Sequence, residues 1–278
     1  MEIPAKKIRI FFIPLLFLIL ILSGCVKEYG MEDTENTVDE NLIVVGVSQV
    51  GSESVWRTAN TASIQNILTK ENGYFMIFNN ARQKQENQIK ALRSFISQRV
   101  DYIVFSPITE DGWETVLQEA KEAGIPVILI DRKVNLSDQS LYTTWIGSDF
   151  YKEGRMAGNI LDEYLTKQHR QEESIRIVVL QGTEGANGFN EVAEAHDNWL
   201  ILEQADGEFT TAKGQEEMEM LLHRYKDIDV VISQNDDMTF GALTAIQNAG
   251  LTAGEDGDIM VISFDAVKSG LQLVDEGL

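Results

Sequence analysis

Cysteine, histidine, proline and basic charge are all scarce in this chain: 278 residues hold one cysteine, three histidines and four prolines, and 23 Lys and Arg stand against 44 Asp and Glu. A lone cysteine excludes an internal disulfide. His169, His196 and His223 are scattered through helical and loop stretches, which argues against a shared metal centre. A formal charge of −21 excludes a nucleic-acid or anionic-membrane face, since both demand clustered Lys and Arg. Enzyme signatures are missing too: no Gly-x-Ser-x-Gly elbow, no His-Glu-x-x-His helix and no phosphate loop ending in Gly-Lys-Ser/Thr. Gly182, Gly185 and Gly188 follow an apolar run, but their spacing departs from the dinucleotide fingerprint and reads as a loop. No cofactor is expected.

What is present begins at the N-terminus. Lys6, Lys7 and Arg9 precede a 13-residue apolar run, residues 10–22, broken only by Pro14. That is the length of a signal-peptide apolar region and short for a bilayer span. The run ends in Leu22-Ser23-Gly24-Cys25, which resembles the bacterial lipobox. That resemblance implies a lipidated Cys25 as the first mature residue, and an uncleaved anchor helix is the alternative. Residues 26–41 carry Glu28, Glu32, Asp33, Glu35, Asp39 and Glu40 and read as a solvated tether. The expectation is a signal peptide over 1–24, an acidic tether over 25–41 and a folded part outside the cytoplasm.

From residue 42 short apolar runs alternate with helical patterns. Strands are expected at 42–47, 74–78, 102–105, 125–130, 143–146, 175–180, 200–204, 230–233 and 259–263. Helices are expected at about 54–71, 113–123, 150–165, 212–225 and 238–248, with another carrying Ile89, Leu92, Phe95 and Ile96 on one face. Continuous apolar strands alternating with helices mean parallel sheets covered on both faces. The chain is long enough for two α/β lobes, placed at 42–144 and 145–278 with the division near 143–147, although one continuous sheet is the competing arrangement.

Open α/β sheets bind ligands beyond the carboxyl ends of their strands. Those positions hold Ser48 and Gln49, Asn79 and Asn80, Ser106, Asp131 and Arg132, Gln181, Gln234 with Asn235 and Asp236, and Asp265. Carboxylates, amides and a guanidinium with few apolar neighbours can fix many hydroxyls at once, as a sugar requires. Trp56 and Phe209 offer flat apolar faces for sugar C–H groups, and Arg57 another donor. Each has a plainer reading. Asn79 and Asn80 also fit turns, Asp131 a pairing with Arg132, Asp236 or Asp237 a helix cap, and Trp56 the core. Asp131 with Asp265 could run glycoside hydrolysis, but two carboxylates facing a sugar also occur in pure binders.

The segments Val45-Gly46-Val47-Ser48-Gln49, Glu53-Ser54-Val55-Trp56-Arg57, Asp101 through Pro107, Gly124-Ile125-Pro126-Val127 and Asp131-Arg132 resemble the type I periplasmic sugar-binding proteins. In the second half, residues 205–210, Ala212-Lys213-Gly214, residues 234–238, Gly241-Ala242 and Ser263-Phe264-Asp265 are similar to the same family. Within it, Glu53 through Arg57 look closest to galactofuranose binders, with ribose and galactose binders as neighbours. The resemblance implies two Rossmann-like lobes closing on one monosaccharide, with Glu53, Trp56, Arg57, Asp131 and Arg132 from one lobe and Phe209, Asn235 and Asp265 from the other. It also implies a monomer, and an ABC-importer permease as partner for the closed form.

Two departures stand out. Ala186-Asn187 leads straight to Gly188-Phe189, where the family has a longer stretch bearing an arginine that grips the sugar. The chain also stops at Gly277-Leu278, where the family pattern would cross back to the first lobe, so the fold is expected to be C-terminally incomplete. Together they predict impaired binding, since losing one charged hydrogen bond costs about 1.5–3 kcal/mol. A sugar-sensing ectodomain and a surface glycosidase are the competing functions.

Overall fold

The structure is a computed structural model that describes residues 42–182 and 187–278. The signal peptide, Cys25, the acidic tether and residues 183–186 with Gly185 lie outside the described residues. Two parallel sheets form the frame. The first joins β1 (Ile43–Gln49), β2 (Tyr74–Asn80), β3 (Tyr102–Phe105), β4 (Val127–Ile130) and β5 (Thr144–Ile146) in the order β2-β1-β3-β4-β5. The second joins β6 (Ile175–Gln181), β7 (Trp199–Asp206), β8 (Val230–Ser233) and β9 (Met260–Ser263) in the order β7-β6-β8-β9. All pairings are parallel. Helices α1 (Val55–Ile67), α2 (Gln85–Gln98) and α3 (Glu114–Glu122) link the strands of the first sheet. Next come α4 (Phe150–Lys167), α5 (Asn187–Ala193), α6 (Thr211–Arg224), α7 (Asp236–Asn248) and α8 (Lys268–Asp275).

The two lobes expected from the strand rhythm are thus two separate sheets. The strand at 143–146, which straddles the expected division, pairs as a whole with β4 as the edge of the first sheet. The passage to α4 follows it at Gly147-Ser148-Asp149, and the Asp149 side chain caps α4 by accepting from the Lys152 amide at 3.0 Å. Neither α5 nor α8 was expected from the sequence.

Burial explains why these residues make strands. In β6, Ile177 and Val179 pack into one core while Val178 and Leu180 pack into another, so alternate side chains are buried on opposite faces. A strand covered on both faces needs an unbroken apolar run. The first sheet buries Ile103, Phe105, Val127 and Leu129 against Leu92, Phe95, Trp113 and Leu117 of α2, α3 and the turn before α3. Each such side chain contributes about 1.5–3 kcal/mol when withdrawn from water.

Candidate functional site

In each sheet the first strand lies inside and the chain reverses direction around it, β1 between β2 and β3, β6 between β7 and β8. Strand ends at such a reversal leave a crevice that helices do not fill. A cavity of about 760 Å³ opens there, lined from both lobes. All eight sequence candidates border it: Glu53, Trp56, Arg57, Asp131, Arg132, Phe209, Asn235 and Asp265.

Sheet order assembles the first-lobe wall. Because β1, β3 and β4 are neighbours, the residues that follow them meet although they are far apart in sequence. Ser54 accepts from the Arg57 amide at 3.0 Å and starts α1, which sets Trp56 and Arg57 on its first turn. Arg57, 4% exposed, donates Nε to Glu53 Oε1 at 3.0 Å and pairs Nη2 with Asp131 Oδ2 at 2.6 Å. Ser106 Oγ donates to the same Asp131 oxygen at 3.1 Å. Asp131 therefore pairs with Arg57; Arg132, its expected partner, instead places its guanidinium 5.1 Å from the Phe209 ring of the other lobe. Glu53 Oε2 is buried without a hydrogen-bond partner and lies against Gly51, where a methyl group would overlap it.

The second lobe contributes differently. Asn235 is the cap of α7: its Oδ1 accepts from the Met238 amide at 2.8 Å and its Nδ2 donates to the Phe209 carbonyl at 3.2 Å. The capping role expected of Asp236 or Asp237 thus falls to Asn235. Asp236 accepts from Ser263 Oγ at 2.6 Å and the Val267 amide at 2.7 Å, and so fixes the turn that holds Asp265. Asp237 reaches the other lobe and accepts from the Val55 amide at 3.0 Å. Gln234, beside the cavity, accepts from the Gly182 amide at 3.0 Å.

Three candidates, Asp131 (φ 64°), Phe209 (φ 57°) and Asp265 (φ 89°), have left-handed backbone, which side chains other than glycine adopt at a cost of about 1–3 kcal/mol. Such strain persists where the surroundings over-determine it, and here all three instances border one cavity. Asp265 is exposed to the cavity, yet residues of both lobes crowd around it. Loss of solvent, reinforced by Asp236, Asp237 and Asp131, pushes its carboxyl up to about 7. Desolvation also raises Asp237.

Some strand-end residues stay outside the cavity wall. Gln49 turns its amide to Asn60 and Thr61, Asn79 accepts from Ser48 Oγ, and Asn80 shapes the turn by accepting from the Arg82 amide. The expectation of few apolar neighbours needs correction, because Phe150, Tyr151 and Phe264 also line the cavity beside Trp56 and Phe209. The signal for the first two was their place at the start of α4, directly after the passage between the lobes. Five carboxylates, Glu53, Glu110, Asp131, Glu153 and Asp265, face two guanidiniums, Arg57 and Arg132, so the wall disfavours anionic ligands and suits a neutral polyhydroxylated one.

Two α/β lobes with a polar and aromatic crevice between their strand ends define a two-lobed binding protein. Residues 45–278 match the family described as the periplasmic binding protein domain, and the chain belongs to that family. It is 41% identical over 235 residues to the galactofuranose-binding protein YtfQ of Escherichia coli, covering 81% of this chain and 71% of that one. A Mycobacterium smegmatis structure in complex with β-D-fucofuranose superposes with a TM-score of 0.79 at 43% identity, covering 84% of this chain and 78% of the other. The binding component of the arabinose ABC transporter from Shewanella, bound to α- and β-L-arabinofuranose, gives 0.78 and 43% with the same coverage.

Proposed function

We propose that the chain is an extracytoplasmic solute-binding lipoprotein that captures a monosaccharide of the galactofuranose, galactose or ribose class for an ABC sugar importer. The observation that carries this reading is the convergence of the eight candidate residues on one cavity between the lobes. Trp56 and Phe209 would stack on sugar C–H faces. Glu53, Asp131 and Asp265 would accept hydroxyl protons, and Arg57, Arg132 and Asn235 would donate to ring and hydroxyl oxygens. The names of the similar proteins support a furanose ring in particular.

In this reading the protein carries its ligand unchanged, works as a monomer and is held at the membrane by lipid on Cys25. Closure of the lobes forms the surface a permease recognises. Binding is weaker than in relatives that keep the arginine missing between Gly185 and Gly188. Thermal melts and calorimetric titrations of residues 26–278 with methyl β-galactofuranoside, galactose, arabinose and ribose test the proposal. A rise in Tm with one of these sugars supports it, because a ligand that favours the native state must stabilise it. No shift and no heat with any sugar would overturn it. Labelling of the intact chain with a radioactive fatty acid, lost on Cys25→Ala, tests the anchor.

A further inference from the structure

Asp131 owes its position to the strand beside it as much as to its salt bridge. Its amide donates to the Ile146 carbonyl at 2.8 Å, so the end of β5 grips it from one side. Its own carbonyl accepts from the indole Nε1 of Trp145 at 3.1 Å. Both anchors lie on β5, one on each side of a residue whose φ of 64° is unfavourable for an aspartate. A methyl group at Gly147, the next residue along, would overlap the Asp131 carbonyl oxygen and crowd the Trp145 ring. The Trp145 ring is itself held in place, packed against the first-lobe core on its buried side and with Lys133 Nζ 4.0 Å from its centroid.

We infer that Trp145 is a positioning residue for ligand capture: its indole N–H holds the strained Asp131 turn so that the carboxylate meets Arg57 at the cavity wall. The inference deepens the sugar-binding reading and rests on it. Trp145 does not border the cavity, so it acts only through Asp131. Its place also has a mechanical meaning. Gly147 and Ser148, which follow β5, carry the chain into the second lobe, and Ser148 lines the cavity. A rotation of the lobes about this passage pulls on the strand end that grips Asp131. Lobe position and carboxylate position are thereby joined through three consecutive residues.

A double-mutant cycle tests this. Trp145→Phe keeps an aromatic ring, though a smaller one, and removes the donor. Asp131→Gly removes the carboxylate and suits the left-handed backbone. With methyl β-galactofuranoside, galactose, arabinose and ribose as probes, Trp145→Phe is expected to weaken the best-bound sugar about three- to tenfold in the parent, the range of one neutral hydrogen bond. In the Asp131→Gly background it should change affinity less than twofold. Equal weakening in both backgrounds, or none in the parent, overturns the inference, because a merely structural indole would act regardless of Asp131. If Trp145→Phe does not fold, Gly147→Ala carries the same cycle. A parent that binds none of the four sugars overturns the functional reading instead. The clamp then stands on the Tm cycle of the ligand-free chain, supported by non-additive shifts and overturned by additive ones.

Discussion

Asp237 of the second lobe accepts a hydrogen bond from the amide of Val55, the first residue of α1 in the first lobe, at 3.0 Å. A carboxylate at a helix N-terminus satisfies a donor that the helix leaves open and meets the positive end of its dipole. The contact therefore favours the arrangement in which the lobes face each other. Asp237→Ala should weaken sugar binding about tenfold or more, the effect of a hydrogen bond to a charged group. Small-angle scattering of the variant should show a larger radius of gyration at equal sugar concentration. An unchanged radius and affinity would remove Asp237 from the closing contacts.

Arg57 is the only described guanidinium that joins two partly buried carboxylates of the cavity wall, Glu53 and Asp131. Removing it leaves Glu53 without a cation and Asp131 with only the Ser106 hydroxyl. Arg57→Ala should lower unfolding stability by about 3–5 kcal/mol in urea titrations and abolish binding. Arg57→Lys keeps the charge but cannot reach both partners with planar geometry, and should fold while binding poorly.

The raised carboxyl of Asp265 gives a pH dependence whose sign is fixed. With a folded value of about 7 against an ordinary 3.8, the folded chain holds a proton there that the unfolded chain has lost. Stability from this group is complete below the lower value and falls as pH rises through the window. Asp265→Asn removes that slope. The Tm of the variant relative to the parent should climb between pH 4 and 7 and level off above, and a constant difference would refute the assignment. Asp237, raised in the same direction, leaves a smaller slope in both proteins.

Phe209 lies flat against Gly182, where a methyl group would overlap the ring. Gly182→Ala must displace Phe209 from its place under Arg132. The expected result is about tenfold weaker sugar binding, measured by titration, with a modest fall in Tm, because the stacking face is lost and Phe209 also packs on the core that holds Val178 and Leu180 of β6.

Most strands could be read from sequence because both-face burial leaves an unbroken apolar run, as in Val230–Ser233, whose four residues are all buried. The helix Asn187–Ala193 was missed because seven residues give too few turns for a period to emerge. Its tight seat, with Gly188 against the Tyr151 carbonyl, appears only in three dimensions. Lys268–Asp275 was missed although its eight residues are amphipathic, and the structure buries only Gly270 of it and leaves Leu271 and Val274 exposed. The three residues of β5 could be seen as a strand, but nothing in Thr144-Trp145-Ile146 says which sheet they join. For the site, the rule of strand ends named Asp131, Arg132, Asn235 and Asp265 on the cavity wall, but it also named Gln49, Asn79 and Asn80, which lie outside it, and missed Phe150 and Tyr151. The pairing of Arg57 with Asp131 was not legible, because it depends on β1, β3 and β4 being neighbours in space. Asn235 was legible as important, but its hydrogen bonds make it the cap that sets α7 in place.

The left-handed backbone at Asp131, Phe209 and Asp265 sets a trap for anyone breeding a tougher version of this molecule. Glycine would relax each turn, but at Asp131 it strands the buried Arg57 and at Phe209 it forfeits a ring packed on a core. A screen for heat resistance alone should therefore collect glycine early at Asp265. That gain would erase a wall of the cavity. Survivors of that screen would be sturdier shells with nothing left to hold.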